Sequence, residues 1–288
     1  MSGGVDSVVL LDALVRQRTV GRVDPWQSNH TGAIIVAHFD HGIRSDSADD
    51  EVFVSQLAKQ YNCEYRSRRV ELGAHASENT ARQQRYTFLR EVCGEFNAVL
   101  MTAHHINDIA ETIAINLTRG TGWRGLAVMD SPTVLRPLQD ATKQDILQYA
   151  AVHAITWHED STNATDTYLR NRLRAKIQDD DLIFQLAALR TAQVATKRLI
   201  DEEVTGLMGV APYSRYFLAH CGDGVAIELL RGIFIRECGE SPTVPVRRRA
   251  LHAIKVARQG SFMHVAAGVQ IRFTRTHFVV EQTDKVLS

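Results

Sequence analysis

The chain opens with a glycine-rich segment, Ser2-Gly3-Gly4-Val5-Asp6-Ser7, that runs directly into the apolar residues 8–11. This pattern predicts a tight loop that feeds the start of a helix. Two adjacent glycines let backbone N–H groups approach an anion closely, the serines add donors, and the helix dipole points its positive end at the same spot. The segment therefore predicts a pyrophosphate-binding loop. The plain structural alternative is a capped Gly-Gly turn.

The loop differs from the Gly-x-x-x-x-Gly-Lys-Ser/Thr phosphate loop because no lysine follows its second glycine. Loops of this kind are normally launched from the carboxyl end of a central strand. Only Met1 precedes Ser2 in this sequence. We therefore expect either a longer native N-terminus or a different start site, with the first strand lying upstream.

Strand-like and helix-like segments alternate after the loop. Short apolar runs predict buried strands at 33–38 and 98–103, and a further strand is expected at 65–70. Helical spacing is found at 7–17, 49–61, 78–96, 107–117 and 142–153. Short connections between such elements indicate an α/β fold, a Rossmann-like parallel sheet with helices on both faces.

The two parts of the chain differ in charge. The whole sequence carries 33 basic and 33 acidic residues, but residues 1–182 have a net charge of −5 and residues 183–288 a net charge of +5. We expect two domains with these boundaries, an acidic catalytic domain and a basic accessory domain that meets a polyanion. Chance asymmetry is the alternative.

The second part is predicted to be mostly helical. One long amphipathic helix is expected at 182–207, followed by helices at 225–237 and 246–258. The tail alternates over 262–265, 269–275 and 277–281, which predicts a short antiparallel unit with a turn at Gly268. An exposed apolar stripe on the long helix would permit a homodimer.

Composition excludes several classes of protein. No run approaches the roughly 18 apolar residues of a membrane helix, so we expect no membrane partner and a cytoplasmic protein. The four cysteines, Cys63, Cys93, Cys221 and Cys238, form no Cys-x-x-Cys pair. This spacing argues against a zinc ribbon, an iron–sulfur site or a dithiol centre.

Polar motifs follow the predicted strands, where ligands bind in such sheets. They are Asp40-His41-Gly42-Ile43-Arg44, residues 78–86 with Arg82 and Arg85, His104-His105-Ile106-Asn107-Asp108-Ile109-Ala110-Glu111-Thr112, Arg119-Gly120-Thr121-Gly122, Arg136-Pro137-Leu138, Glu159-Asp160-Ser161-Thr162-Asn163, and Tyr168-Leu169-Arg170-Asn171-Arg172-Leu173-Arg174.

Together with the loop, this ordered set resembles the tRNA(Ile)-lysidine synthetase family of PP-loop ATP pyrophosphatases. The resemblance covers residues 2 to about 177. The loop alone is specific only to the superfamily, whereas the sets at 40–44, 104–112 and 159–174 are more specific.

The resemblance implies a definite reaction. ATP adenylates the C2 oxygen of the wobble cytidine in an isoleucine tRNA with a CAU anticodon, and pyrophosphate leaves. The ε-amine of free L-lysine then attacks C2 and displaces AMP, which gives lysidine. We therefore expect ATP, Mg²⁺, lysine and this tRNA as cofactors and partners.

Residue chemistry assigns the ATP site. Ser2, Gly3, Gly4, Val5, Asp6, Ser7, His38 and Arg85 are the expected ATP-binding residues. Asp6 and Asp108 are the expected Mg²⁺ ligands, because this ion is bound by carboxylates together with phosphate oxygens. Arg82 or Arg85 would hold a phosphate bidentately. A helix cap for Asp6 and a solvated face for the arginines are the alternatives.

The lysine site and the tRNA contacts are less constrained. Glu111 and Asp160 are candidates to receive the lysine ammonium, and Glu111 lies one turn beyond Asp108 on the same face. His41, His104 and His105 are candidates for a general base or for loop ordering. The candidate tRNA contacts are basic residues: Arg170, Arg174, Arg247, Arg248 and Arg249.

One position departs from the family pattern. The family helix usually reads His-His-x-Asp-Asp-Gln-Ala-Glu-Thr, whereas this chain has Asn107 and Ile109 at two of those positions. If the first aspartate were the metal ligand, Asn107 would impair activity. Two rivals therefore stay open: another PP-loop tRNA-modifying enzyme, and a catalytically degenerate tRNA-binding homologue.

Overall fold

The structure, a computed structural model, describes residues 1–20, 32–42, 47–73, 78–158, 169–177, 179–266 and 268–282. Two compact units are formed, residues 1–194 and 195–288. The boundary expected between 182 and 183 lies in the first turn of the long helix, whereas the observed division falls within that helix. The Glu159–Asn163 motif, Ile43, Arg44 and Tyr168 lie outside the described residues.

The elements of the first unit alternate as predicted. In chain order they are α1 (Val5–Val20), β1 (Ile35–Asp40), α2 (Ser47–Gln60), β2 (Glu64–Arg69), α3 (Glu78–Phe96), β3 (Leu100–Met101), α4 (Ile106–Thr118), a 3-10 turn (Trp123–Leu126), β4 (Val134–Leu135), α5 (Lys143–Val152), α6 (Leu169–Lys176) and the first part of α7 (Asp180–Leu207).

The strands of this unit are parallel, which confirms the predicted α/β class. Within the described residues β1 pairs with β2 and β3 pairs with β4, as two separate pairs. β3 is shorter than predicted, two residues instead of six, and Val99 before it is 46% exposed. The amino group of Met1 donates to the carbonyl of Ala37, so the residue before the loop lies beside β1.

Helix α1 is buried on two sides because its apolar residues are not confined to one stripe. Val8 and Leu11 pack against β1 and α2, whereas Val5 and Val9 pack against Ile146 and Ala150 of α5. This double contact fixes the axis of α1. The start of the helix, which carries the glycine-rich loop, is fixed with it.

A buried carboxylate ties α1 to its neighbours. Asp12 is 1% exposed and accepts hydrogen bonds from Arg16 Nε at 2.6 Å, Tyr61 OH at 2.7 Å and Tyr149 OH at 2.9 Å. Burial alone would raise the pKa of Asp12, but these hydrogen bonds outweigh it and hold the pKa below its usual value. Burial and the same carboxylate raise the pKa of Tyr61 and of Tyr149 to about 12.

The second unit combines helices with an antiparallel sheet. Its elements after α7 are β5 (Tyr213–Ser214), α8 (Arg215–His220), α9 (Asp223–Cys238), α10 (Val244–Val256), β6 (Phe262–Ala266), β7 (Val269–Phe273) and β8 (His277–Gln282). The strand order is β5-β8-β7-β6, and Phe234, Phe273 and Phe278 lie in the core. The predicted helices and tail hairpins are present. β5 and α8 were not predicted, because each is too short to show a period.

Helices α7 and α9 approach closely at Gly232. A Cβ built on Gly232 would lie 2.5 Å from Cγ1 of Val204 and 3.1 Å from Sδ of Met208. Val204 is β-branched and has little rotamer freedom in a helix, so it cannot move aside at low cost.

We expect Gly232→Ala to lower the free energy of unfolding of the second unit by about 1–3 kcal/mol because of this overpacking. Gly224→Ala in the same helix is the matched control, since a Cβ there meets nothing within 4 Å. The control should be neutral or stabilise by up to about 1 kcal/mol. Calorimetry of both variants measures the difference, and equal stabilities would contradict the close approach.

Candidate active site

The glycine-rich loop forms a compact turn at the start of α1. Gly3 adopts a φ of +86°, which a residue with a Cβ rarely takes. Ser2 Oγ lies 3.3 Å from Ser7 Oγ, and Ser7 Oγ donates to the carbonyl of Gly4 at 2.9 Å. The first backbone N–H groups of α1 therefore open beside two hydroxyl groups, as an anion-binding loop requires.

Two acidic residues meet beside this loop, around one histidine. Asp6 lies in the first turn of α1 and Asp108 in the first turn of α4. His105 Nε2 is 3.9 Å from Asp6 Oδ1 and 3.5 Å from Asp108 Oδ2. The backbone N–H of His105 also donates to Asp108 Oδ2 at 3.0 Å. The two predicted metal ligands are therefore brought together, although they are 102 positions apart in the sequence.

These carboxylates fit a magnesium ion that arrives with ATP. Among the described residues no group of three or more His, Cys, Asp or Glu side chains is arranged to hold a metal. Mg²⁺ usually takes one or two carboxylates and completes its shell with phosphate oxygens and water. Asp6 and Asp108 satisfy that requirement, whereas a metal cage made of protein alone would need more ligands.

Lys143, which the sequence did not indicate as a site residue, also lies beside Asp6. Lys143 Nζ is 2.5 Å from Asp6 Oδ1. The backbone N–H of Lys143 donates to Asn107 Oδ1 at 3.0 Å, which joins the start of α5 to the start of α4. Asn107 therefore has a structural hydrogen bond that an aspartate would make equally well. The departure at this position does not remove a group from the Asp6–Asp108 pair.

The three histidines near the loop are held neutral. Burial lowers the pKa of His104 to about 4, although the negative charge of Asp108 acts to raise it. His104 Nδ1 lies 2.9 Å from Thr102 Oγ1. Burial also lowers the pKa of His38 and of His41, and the charge of Arg85 adds to the effect at His41. His38 Nδ1 contacts the carbonyl oxygen of Met1 at 2.8 Å. At neutral pH these rings are uncharged hydrogen-bonding groups.

Two predicted arginines lie on the same side of α3. The guanidinium carbons of Arg82 and Arg85 are 4.9 Å and 5.7 Å from the ring centroid of the buried Tyr86. Both positive charges lower the pKa of His104, so both lie near the start of α4. Both cations are therefore within electrostatic range of His104, which precedes α4, and could approach a phosphate bound there.

Glu111 is paired with an arginine of the same unit. Its carboxylate is buried and forms a bidentate pair with Arg174 of α6, at 2.6 Å from Nε and 3.2 Å from Nη2. This pair raises the pKa of Arg174. The role of Glu111 as a lysine receptor and that of Arg174 as a tRNA contact stay predictions, and in this structure the charge of each is neutralised by the other.

The remaining predicted residues fall in different places. Arg247 is only 7% exposed and donates to Ser241 Oγ at 2.8 Å, so it does not belong to a surface patch. Arg248 and Arg249 are exposed on α10 in the second unit. Asp160 lies outside the described residues, as does the side chain of Arg170.

Removal of the Arg174 side chain should destabilise the first unit, because the buried Glu111 carboxylate would lose its partner. We expect Arg174→Ala to lower the free energy of unfolding of the first unit by about 2 kcal/mol. The cost of breaking a fully buried pair is about 3–5 kcal/mol, and it is reduced here because Arg174 is half exposed. All three tryptophans lie in residues 1–157. Urea unfolding followed by tryptophan fluorescence therefore reports on this unit.

Arg172→Ala is the matched control for that experiment, since Arg172 is exposed on the same helix. It should change the stability by no more than about 0.5 kcal/mol. Addition of Glu111→Gln to Arg174→Ala should recover part of the loss, because the uncompensated charge is removed. Equal effects of the two arginine variants would refute the pairing.

His104 should make stability depend on pH. The unfolded chain binds a proton near pH 6.5, whereas the folded chain does so only near pH 4, so stability is lost as the pH falls through this window. Between pH 7 and pH 4.5 we expect the wild type to lose about 2 kcal/mol more than His104→Gln. Tryptophan-monitored urea unfolding at both pH values measures this. Parallel losses in the two proteins would show that the imidazole is not held neutral.

The sequence and the fold of this chain are similar to those of known proteins. The family model described as the PP-loop domain matches residues 1–180. Curated tRNA(Ile)-lysidine synthases are similar: that of Ralstonia nicotianae is 36% identical over 183 residues, covering 60% of this chain and 38% of the relative. That of Thermosipho africanus is 36% identical over 259 residues, covering 84% and 58%.

A third relative, the tRNA(Ile)-lysidine synthase of Photorhabdus laumondii, is 32% identical over 286 residues, covering 89% of this chain and 61% of the relative. The chain thus spans between 38% and 61% of the length of these three relatives. A solved U34-tRNA thiolase of Methanococcus maripaludis superposes with a TM-score of 0.51 at 18% identity, covering 69% of this chain and 70% of the thiolase, which supports the fold. The resemblance found in the sequence is confirmed, and this chain belongs to the PP-loop domain family.

Proposed function

We propose that this protein is a tRNA(Ile)-lysidine synthase. It would adenylate the C2 oxygen of the wobble cytidine in the isoleucine tRNA with a CAU anticodon, and lysine would then replace the AMP. The observation that carries the proposal is the meeting of the Ser2–Ser7 loop with Asp6, His105 and Asp108. The names of the three curated relatives support the same reaction.

The adenylation step needs positive charge and donors around the phosphates. The C2 oxygen bonds to the α-phosphorus while the bond from that phosphorus to the bridging oxygen breaks, and pyrophosphate leaves. Ser2, Ser7 and the N–H groups of the loop would bind the departing oxygens. Arg82 and Arg85 would stabilise the charge on the α-phosphate.

Magnesium, when bound, would supply positive charge that neutralises part of the charge on the phosphates. Asp6 and Asp108 would hold it, since both carboxylates lie within 4 Å of the same imidazole nitrogen. This assignment is the proposal's own and applies to Mg²⁺ brought by ATP.

The second step joins lysine to the base. The ε-nitrogen bonds to C2, the bond from C2 to the oxygen of the adenylate breaks, and AMP leaves with that oxygen. The lysine ammonium must lose one proton before its nitrogen can attack, and the nitrogen loses another after the bond to C2 has formed. With its pKa near 4, His104 is suited to accept a hydrogen bond and is a weak proton acceptor. His41, whose pKa is lowered by burial and by Arg85, stays a candidate base. Asp160 stays the candidate for the lysine ammonium, since Glu111 is paired with Arg174.

The cysteines give little support to a thiol-dependent rival. Burial raises the pKa of the Cys63, Cys93, Cys221 and Cys238 thiols, so each is less often a thiolate than an exposed cysteine. The likeness to a thiolase is a likeness of fold. Asn107 is one of the features that favour the rival of a degenerate binding protein, and here it has a structural hydrogen bond.

The partners proposed are the CAU-anticodon tRNA and free L-lysine. Arg248 and Arg249 on α10 would contact the tRNA backbone. Among the helices in the described ranges, none is both long and apolar enough to cross a membrane. We propose a cytoplasmic site of action, where the tRNA is found. A homodimer through α7 stays a prediction; α7 leaves Phe184 49% and Leu199 63% exposed.

The test is pyrophosphate release from ATP by the full chain with the CAU-anticodon tRNA, with and without ¹⁴C-lysine. We expect turnover and lysine-labelled tRNA, and no labelling of an isoleucine tRNA with a GAU anticodon. Asp108→Asn should lower kcat by about 100-fold or more, because a carboxylate that would hold the charge-neutralising Mg²⁺ is lost. Asn107→Asp should stay within about threefold of the wild type.

Asp180→Asn is the matched control for Asp108→Asn, since Asp180 is exposed in the first turn of α7. It should leave turnover unchanged. Binding of tRNA without any ATP-dependent pyrophosphate release would refute the enzyme and favour a binding protein. Large gains from Asn107→Asp would show that this position, and not Asp108, is the metal ligand.

A further inference from the structure

Lys143 occupies a position where helix stability does not favour it. It is the first residue of α5, and the N-terminal end of a helix dipole repels a positive charge. The cap of α5 is already complete: Thr142 Oγ1 accepts from the N–H of Asp145 at 3.0 Å, and Asp145 Oδ2 accepts from the N–H of Thr142 at 2.8 Å. Lys143 therefore contributes nothing to starting the helix, and its place needs another explanation.

The backbone of Lys143 is held firmly beside the candidate active site. Its N–H donates to Asn107 Oδ1 at 3.0 Å, and the N–H of Ile106 donates to the carbonyl of Ala141 at 3.1 Å. Two hydrogen bonds thus fix the start of α5 against the start of α4. The lysine side chain extends from this fixed point to Asp6 in the first turn of α1.

The contact with Asp6 is too exposed to be retained for stability. The side chain of Lys143 is 40% exposed and that of Asp6 is 33% exposed. Pairs of this exposure contribute about 0–1 kcal/mol to folding. A lysine ammonium has three N–H donors, and Asp6 is the one acceptor that the described part of the chain gives it. Within the described residues, the other two donors of this ammonium have no protein acceptor, and they lie beside Asp6 at the end of the glycine-rich loop.

We propose that Lys143 supplies the phosphate-binding cation that the loop itself lacks. Phosphate loops of the other type carry a lysine directly after the second glycine, and this chain has Val5 there. Lys143 replaces that lysine from a helix remote in sequence. Its ammonium binds the β- and γ-phosphates of ATP and neutralises the pyrophosphate as it leaves. This inference rests on the ATP use in the proposed function.

The inference makes a specific claim about which phosphates are contacted. A cation for the β- and γ-phosphates distinguishes ATP from AMP, whereas a lysine that only fixes Asp6 does not. Measurement in EDTA removes Mg²⁺ from the comparison, so that a loss of affinity reports direct contact and not a disturbed metal ligand.

The experiment measures dissociation constants by calorimetry for α,β-methylene-ATP, which cannot release pyrophosphate, and for AMP. We expect Lys143→Ala to weaken binding of the ATP analogue about 10-fold or more, because a charge-assisted hydrogen bond is lost. Binding of AMP should change by less than about twofold. Lys143→Arg should restore most of the affinity for the ATP analogue.

Lys59→Ala is the matched control, since Lys59 is exposed at the end of α2 in the same unit. It should bind both nucleotides as the wild type does. All variants should unfold within about 1 kcal/mol of the wild type by tryptophan fluorescence, which separates a binding loss from a folding loss. Equal losses for both nucleotides, or no loss for the ATP analogue, would overturn the inference.

The outcomes also separate this inference from the proposed function. A wild type that binds the ATP analogue but releases no pyrophosphate with tRNA refutes the proposed function, while the Lys143 comparison still decides the inference. A wild type that turns over normally with no selective loss in Lys143→Ala refutes the inference alone. A wild type that binds no ATP analogue, either in EDTA or with Mg²⁺ present, refutes both.

Discussion

The burial of α1 on two faces is the constraint on which the rest of the first unit depends. Val8 and Leu11 are packed on one side, Val5 and Val9 on the other, and Asp12 is bonded to residues from two further segments. A helix held in this way cannot rotate or slide without opening its packing. The backbone donors at its start are therefore aimed in one direction. An anion-binding loop needs such preorganisation, because donors that must first be oriented bind more weakly.

The same region shows why charge gathers there. Helices α1, α4 and α5 all begin close together, as the contacts of Asp6 with His105 and with Lys143 demonstrate. The N-terminus of a helix favours a negative charge, and the first turns of α1 and α4 each contain an aspartate. Without a cation these carboxylates would repel one another. Lys143 contacts Asp6, and the charges of Arg82 and Arg85 reach His104, which precedes α4. A cluster of mixed charge such as this one is suited to ATP that is bound together with Mg²⁺.

Much of the fold was predictable because its signals are local. The period of α3 gave its bounds at 78 and 96, and the glycine-rich loop indicated the start of α1. Asp6 and Asp108 were predictable because each lies at the start of a helix where the sheet topology directs a ligand. The pairing of Glu111 with Arg174, the burial of Arg247 and the contact of Lys143 with Asp6 were not. Each joins segments remote in sequence, and a single sequence carries no sign of which distant charge will be its partner.

One backbone hydrogen bond links the two halves of the proposed chemistry. The N–H of His158 donates to the carbonyl of Gly3 at 3.1 Å, and His158 is also stacked on Phe53 of α2. His158 directly precedes the Glu159–Asn163 motif, which holds the candidate receptor for the amino acid. The peptide group of Gly3 is thus shared between the nucleotide loop and the entry to that motif. A change in the orientation of the Gly3 carbonyl would therefore have to be accommodated by the backbone of His158 as well, so the loop cannot be altered without affecting the residue that precedes that motif.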